Sequence, residues 1–264
     1  MATRFHAYHL NDKEIAMSYA YGNNFLLVGA HYLESIRKKL QREMKIMNVT
    51  TISCLFIPEW SEAYCGDGTL LGQLLKELCP THIIIPQWDS QKQLVVRCKS
   101  HIEQYQKDKP YADVQFLYDE DKDQPSVSNN NVTFLGVNHQ SGEHIVAHRF
   151  ESNGMWVTID LNGNPYSDNV LKSDIVVCTS LNNEEARRMI EASKCLKANV
   201  NIVYSAVDTG RTLLDRLLKS ALCYYVKDLD VVVMREDSGK AVVYNMDSDQ
   251  RDLINKKEYI PYKL

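Results

Sequence analysis

The run Asp208-Thr209-Gly210-Arg211-Thr212 carries the sharpest chemical signal in this chain of 264 residues. It follows an apolar stretch over 201–207 (NIVYSAV) and opens an amphipathic run. A glycine-bearing strand-to-helix turn gathers backbone N–H groups and the positive end of a helix around one point, which suits a phosphate. The hydroxyls of Thr209 and Thr212 add donors, and Arg211 adds a fixed positive charge. The plainer account is a capped helix start with Asp208 or Thr209 as N-cap. A second turn, Cys65-Gly66-Asp67-Gly68-Thr69, lacks the Lys of a P-loop and the spacing of a dinucleotide loop, and reads as a helix-capping loop. His144 and His148 stand at i and i+4. The run 144–150 (HIVAHRF) is strand-like, which separates them by about 13 Å, too far for one ion. His139 and Glu143 lie nearby, and a solvated hairpin tip accounts for all four. No complete set of metal ligands is read.

Locally, VDTGRTL resembles the PRPP-binding loop of phosphoribosyltransferases, where a strand ends in two acidic residues and runs into a DTGxT turn. The place of the acidic pair is held here by Ser205 and Ala206. Asp228 and Asp230 in KDLDVVV are similar to the paired carboxylates that hold a metal in nucleotidyltransferases. The Gly-Ser turn of that family is replaced by SALCYYVK.

The elements that would position these residues alternate in type. Strands are expected over 23–30, 50–57, 81–86 and 113–118, with helices over 31–47, 69–79 and 90–107 between them. That order predicts a largely parallel sheet with covering helices. Residues 119–131 (DEDKDQPSVSNNN) are acidic, then polar, and read as a linker or surface loop. Short strands over 132–137, 144–150 and 155–161 follow as an antiparallel meander. Alternation then resumes: strand 174–179, a helix from Asn182, strand 200–207, helix 212–225, and a closing hairpin over 229–235 and 240–245. The expected class is α/β, with two largely parallel-sheet lobes joined by a β-rich antiparallel segment. The lobes would span 1–120 and 132–264, with 121–131 as linker.

A net charge of −4 argues against a protein built mainly to bind duplex nucleic acid. The basic face of Arg37, Lys38, Lys39, Arg42 and Lys45 is what many surface helices show. Seven cysteines, widely spaced and without a CxxC pair, fit free thiols in a reducing intracellular compartment, cytoplasm or nucleus. Cys54 and Cys178 fall in apolar runs and read as inert. No run reaches the roughly 18–20 apolar residues of a membrane span. Fifteen tyrosines and the absence of a complete catalytic set favour a non-catalytic binding or assembly factor, acting through a protein partner or self-association. The alternatives are an enzyme or sensor for a phosphorylated small molecule at Asp208 to Thr212, and an accessory factor in nucleic-acid processing.

Overall fold

Short apolar runs that bury both faces form the parallel part of the first sheet. In the computed structural model β3 (Asn24–Val28), β4 (Cys54–Phe56) and β5 (His82–Pro86) are such runs, and they pair in parallel with one another and with β6 (Asp113–Leu117). The structure describes residues 3–10, 14–88, 91–117, 126–127, 132–138, 145–152, 155–160, 173–178, 200–204, 222–226, 230–235, 241–246 and 253–259. The parallel strands are joined through α1 (Glu34–Ile46), α2 (Glu62–Cys65), α3 (Leu71–Leu78) and α4 (Gln93–Asp108). Helix α1 buries Ile36, Leu40 and Met44, one apolar stripe at helical spacing.

On its other side β3 pairs antiparallel with β2 (Met17–Tyr21), and β2 with β1 (Thr3–Ala7). Three strands from late in the chain complete this sheet: β14 (Asp230–Arg235), β15 (Ala241–Met246) and β16 (Leu253–Tyr259). The order of its nine strands is β16-β15-β14-β1-β2-β3-β4-β5-β6. A second sheet of seven strands contains β7 (Ser126–Val127), β8 (Val132–Asn138), β9 (Ile145–Ser152), β10 (Met155–Asp160), β11 (Ile175–Cys178), β12 (Val200–Val203) and β13 (Leu222–Tyr225). The two sheets face each other. Tyr19 meets Phe150 edge-on at 5.5 Å, Phe56 meets His148 at 5.8 Å, and the Tyr204 hydroxyl donates to the Ala16 carbonyl. Side chains alternate along a strand. Phe5 pairs across to Tyr19 on the inner face, which leaves Arg4 and His6 on the outer face towards Glu43 of α1.

The α/β class and the helices between the parallel strands agree with the sequence. The strands read over 132–137, 144–150 and 155–161 are β8, β9 and β10, joined antiparallel. One element is corrected. The helix expected over 212–225 cannot run to its end, because Leu222–Tyr225 form β13, parallel to β12. The leucines of 213–218 set a helical period that ran on over residues whose Cys-Tyr-Tyr composition suits a strand. Strands β1, β2 and β16 carry no signal that the sequence reading used. No helix among the described residues is long and apolar enough to cross a membrane.

Candidate functional site

In open α/β sheets, ligands sit outside the carboxyl ends of the strands. Strands β3, β4 and β5 end on one edge, and the segments that follow them are tied together there. Gly29 makes this possible, with φ +89°. A Cβ at this position would stand 2.6 Å from the Ile15 carbonyl oxygen. With hydrogen in its place, Gly29 N–H donates to Phe56 O at 2.9 Å and Ala30 N–H to Tyr64 O at 2.6 Å. His31 is buried and donates from Nε2 to the Ala63 carbonyl at 2.7 Å, which leaves Nδ1 facing Glu14 Oε1 at 3.9 Å.

The segment after β4 carries an acid and an aromatic side chain at this edge. Glu59 is half-buried, and burial pushes its carboxyl above the ordinary range, against the opposing pull of the Ser61 hydroxyl and the Lys92 charge. Next to it Trp60 stacks on Trp88 from the segment after β5, with ring centroids 5.0 Å apart and planes 15° apart. The Trp60 indole N–H donates to the Gln87 carbonyl at 3.1 Å, and Phe116 backs Trp88 edge-on at 5.9 Å. Lys99 lies 5.9 Å from the Trp88 ring centre. An acid with a raised pKa beside a flat, half-exposed aromatic wall can hold a proton for a bound substrate.

The Cys65-Gly66-Asp67-Gly68-Thr69 loop is ordered by its own contacts. Asp67 Oδ1 accepts from the Thr69 N–H at 2.9 Å and from its hydroxyl at 2.6 Å, and Arg97 donates to the Asp67 carbonyl at 2.6 Å. Asp230, expected as one of a metal-binding pair, does other work. It faces His6 Nε2 at 3.2 Å and Lys39 Nζ at 2.8 Å, beneath α1. The basic face of α1 is largely neutralised: Arg37 pairs with Glu77 at 2.9 Å, Lys38 with Glu34 at 2.7 Å, and Lys39 with Asp230. His148 lies between the sheets, and burial lowers its pKa to about 4, so it is neutral at physiological pH. Asp208, Thr209, Gly210, Arg211 and Thr212 lie outside the described residues, as do His139, Glu143, His144 and Asp228. So does the 119–131 segment, save the two residues of β7.

No family model matches the chain, and no curated protein matches it in sequence. Solved structures do. The metallo-β-lactamase fold protein YhfI from Bacillus subtilis superposes with a TM-score of 0.54, at 11% identity over 84% of this chain and 96% of that one. The fold is that of the metallo-β-lactamase fold proteins. A diphosphatase from the PhnP family superposes with a TM-score of 0.55, at 11% identity over 89% of this chain and 99% of its own. This overturns the expectation of a non-catalytic binding or assembly factor, since the chains sharing this architecture include a hydrolytic enzyme. Tyrosine content misled that reading, because Tyr8, Tyr19 and Tyr64 are fully buried rather than displayed. The exposed large hydrophobics among the described residues, Leu33, Ile46, Val96 and Tyr111, are spread along the chain, on and beside α1 and α4.

The fold's name implies a metal. Among the described residues no three His, Cys, Asp or Glu side chains are grouped to hold one. The segment after β4, Pro58-Glu59-Trp60-Ser61-Glu62-Ala63-Tyr64, offers carboxylates but no imidazole, and His31 Nε2 is already committed to Ala63. The described edge does not fit a metal centre. Sequence reasoning passed over Glu59, Trp60 and Trp88. The available signal was an acid and a Trp directly after an apolar strand, with a second Trp at the end of the next.

Proposed function

We propose that the chain is a hydrolase of phosphate esters that works at the carboxyl ends of β4 and β5, with Glu59 as its general acid. The observation that carries this reading is the Glu59 carboxyl, held protonated to higher pH by burial at the strand-end edge. Protonated Glu59 donates its proton to the leaving oxygen as water attacks phosphorus, and a later proton from water restores it. Lys92, whose charge already acts on Glu59, and the amino end of α4 one residue on supply positive potential for the phosphate. The Trp60–Trp88 stack gives the rest of the substrate a rigid apolar wall. A diphosphatase among the structures with this fold makes phosphate esters the first class to try.

The test is turnover of p-nitrophenyl phosphate and bis(p-nitrophenyl) phosphate by wild type and Glu59→Gln. Removing a general acid is expected to lower kcat by about 10²–10⁴-fold. A wild type inert on both esters, or a fully active Glu59→Gln, overturns the proposal.

A further inference from the structure

We infer that the esters cleaved at this edge are nucleoside monophosphates, with the base lying on Trp60 and the phosphate beside Glu59. The hydrolase reading places the phosphate, and the inference rests on it there; the place of the base rests on the rings themselves. Trp60 and Trp88 follow two strands that pair in parallel, β4 and β5. Their rings lie almost parallel, 15° apart with centroids at 5.0 Å. Aromatic side chains that only pack are fully buried in this protein, as Phe25, Phe56 and Tyr64 are. Trp60 and Trp88 stay half-buried at the strand-end edge, where a ligand meets the sheet.

The stack is built before any ligand arrives. The Trp60 indole N–H donates to the Gln87 carbonyl at 3.1 Å, one residue before Trp88, so one stretch of backbone holds both rings. Phe116 of β6 closes on Trp88 edge-on at 5.9 Å, and the Lys99 ammonium of α4 stands over the Trp88 ring, 5.9 Å from its centre. Trp88 is thus enclosed, and Trp60 is the ring left to take a flat partner. A ring already fixed by its neighbours binds without paying to be ordered. A nucleobase is the flat partner that a phosphate ester most directly brings, because every base has a π-face. The indole N–H is spent on Gln87, so Trp60 offers a face and no donor. It therefore selects by ring area, purines over pyrimidines. Glu59 immediately precedes Trp60, so one nucleotide spans the two positions. In the reaction the water oxygen bonds to phosphorus and the bond from phosphorus to the ribose oxygen breaks. The Glu59 proton goes to that ribose oxygen. One proton of the water stays on the phosphate and the other returns to Glu59.

The experiment is a tryptophan-fluorescence titration of the full chain, in which two of the three tryptophans belong to the stack. Glu59→Gln, which keeps the rings and lacks the acid, is titrated with AMP, CMP and ribose 5-phosphate. AMP is expected to quench the emission and to bind about 5- to 150-fold tighter than ribose 5-phosphate, the worth of one base on one aromatic face. CMP is expected to fall between the two. Trp60→Leu is expected to bring AMP to the level of ribose 5-phosphate. The inference is overturned if AMP binds no tighter than ribose 5-phosphate, or if its advantage survives in Trp60→Leu. The comparison of AMP with ribose 5-phosphate decides the matter even where Trp60→Leu does not fold. Turnover separates this inference from the reading beneath it. A wild type that hydrolyses p-nitrophenyl phosphate but binds AMP and ribose 5-phosphate alike keeps the hydrolase and overturns the base site. A chain that binds AMP through Trp60 and cleaves no ester keeps the base site, and overturns the general acid and with it AMP as a substrate.

Discussion

His6 Nδ1 lies 3.2 Å from a carboxylate oxygen of Glu43, joining β1 to α1 through two buried side chains. The other ring nitrogen faces Asp230 at 3.2 Å, and Arg4 takes the second oxygen of Glu43. Burial opposes the charge on His6, but the two carboxylates outweigh it and raise its pKa. The same contacts lower Glu43 and Asp230 against their own burial. A raised His contributes stability that is complete below its unfolded value, about 6.5, and is lost as pH climbs through the folded value. Lowered carboxylates contribute stability that is complete above their unfolded values, about 4, and is lost as pH falls through the folded ones. The urea midpoint is therefore expected to be highest between about pH 4.5 and 6.5 and to decline on both sides. His6→Asn is expected to remove the decline on the alkaline side. An alkaline slope unchanged in that variant would place its origin elsewhere.

Removing one member of this network is expected to cost more than removing the whole. Glu43→Ala leaves Arg4 and His6 buried without their shared counter-charge, and is expected to destabilise by about 3–5 kcal/mol. Replacing Arg4, His6 and Glu43 together with apolar residues of similar volume is expected to cost much less, because Asp230 keeps Lys39 at 2.8 Å and no charge is then stranded. Chemical denaturation of both variants reads the difference. Equal losses would mean that packing, not charge, sets the cost.

This network also shows why the sequence disclosed only part of the fold. Strands β3 to β5 are unbroken apolar runs, helices α1 and α3 repeat their apolar residues at the helical period, and a local reading finds them. Strand β1 buries Arg4 and His6, which look like surface residues until Glu43 and Asp230, 37 and 224 positions from His6, are brought against them. Asp230 was visible as an acid, but its partners were not. The site suffered in the same way. Trp60 and Trp88 are 28 positions apart and fall within no shared motif. Pairings of that range depend on which strands become neighbours, and no local period encodes that.

Gly29 is the hinge on which the strand-end edge is assembled. Gly29→Ala places a methyl group 2.6 Å from the Ile15 carbonyl oxygen, a backbone atom that cannot swing aside, at a φ that costs an L-residue energy in any case. The expected loss is about 2 kcal/mol or more. Hydrogen exchange should locate the damage, with protection falling at Gly29, Ala30 and Ile15, whose N–H groups bond to Phe56, Tyr64 and Ala63. Uniform loss across both sheets, with no excess at these amides, would contradict the local account.

Glu59 offers a test in which stability and activity move in opposite directions. Its folded pKa is raised by burial, so the ionised carboxylate costs the folded state energy at pH values above that pKa. The cost vanishes once pH falls below the unfolded value, near 4.3, where the group is protonated in both states. Glu59→Gln keeps the shape and removes the charge. It is expected to raise the melting temperature near neutral pH and to leave it unchanged near pH 3.5, below that range. If Glu59 is the general acid, kcat in wild type falls as pH rises through the raised pKa, and that limb is missing from the residual activity of Glu59→Gln. A carboxyl that is merely buried would show the stability change without any effect on the pH–rate profile. A more stable, much less active Glu59→Gln whose residual rate no longer carries that limb is the result that only an acid held out of water for catalysis predicts.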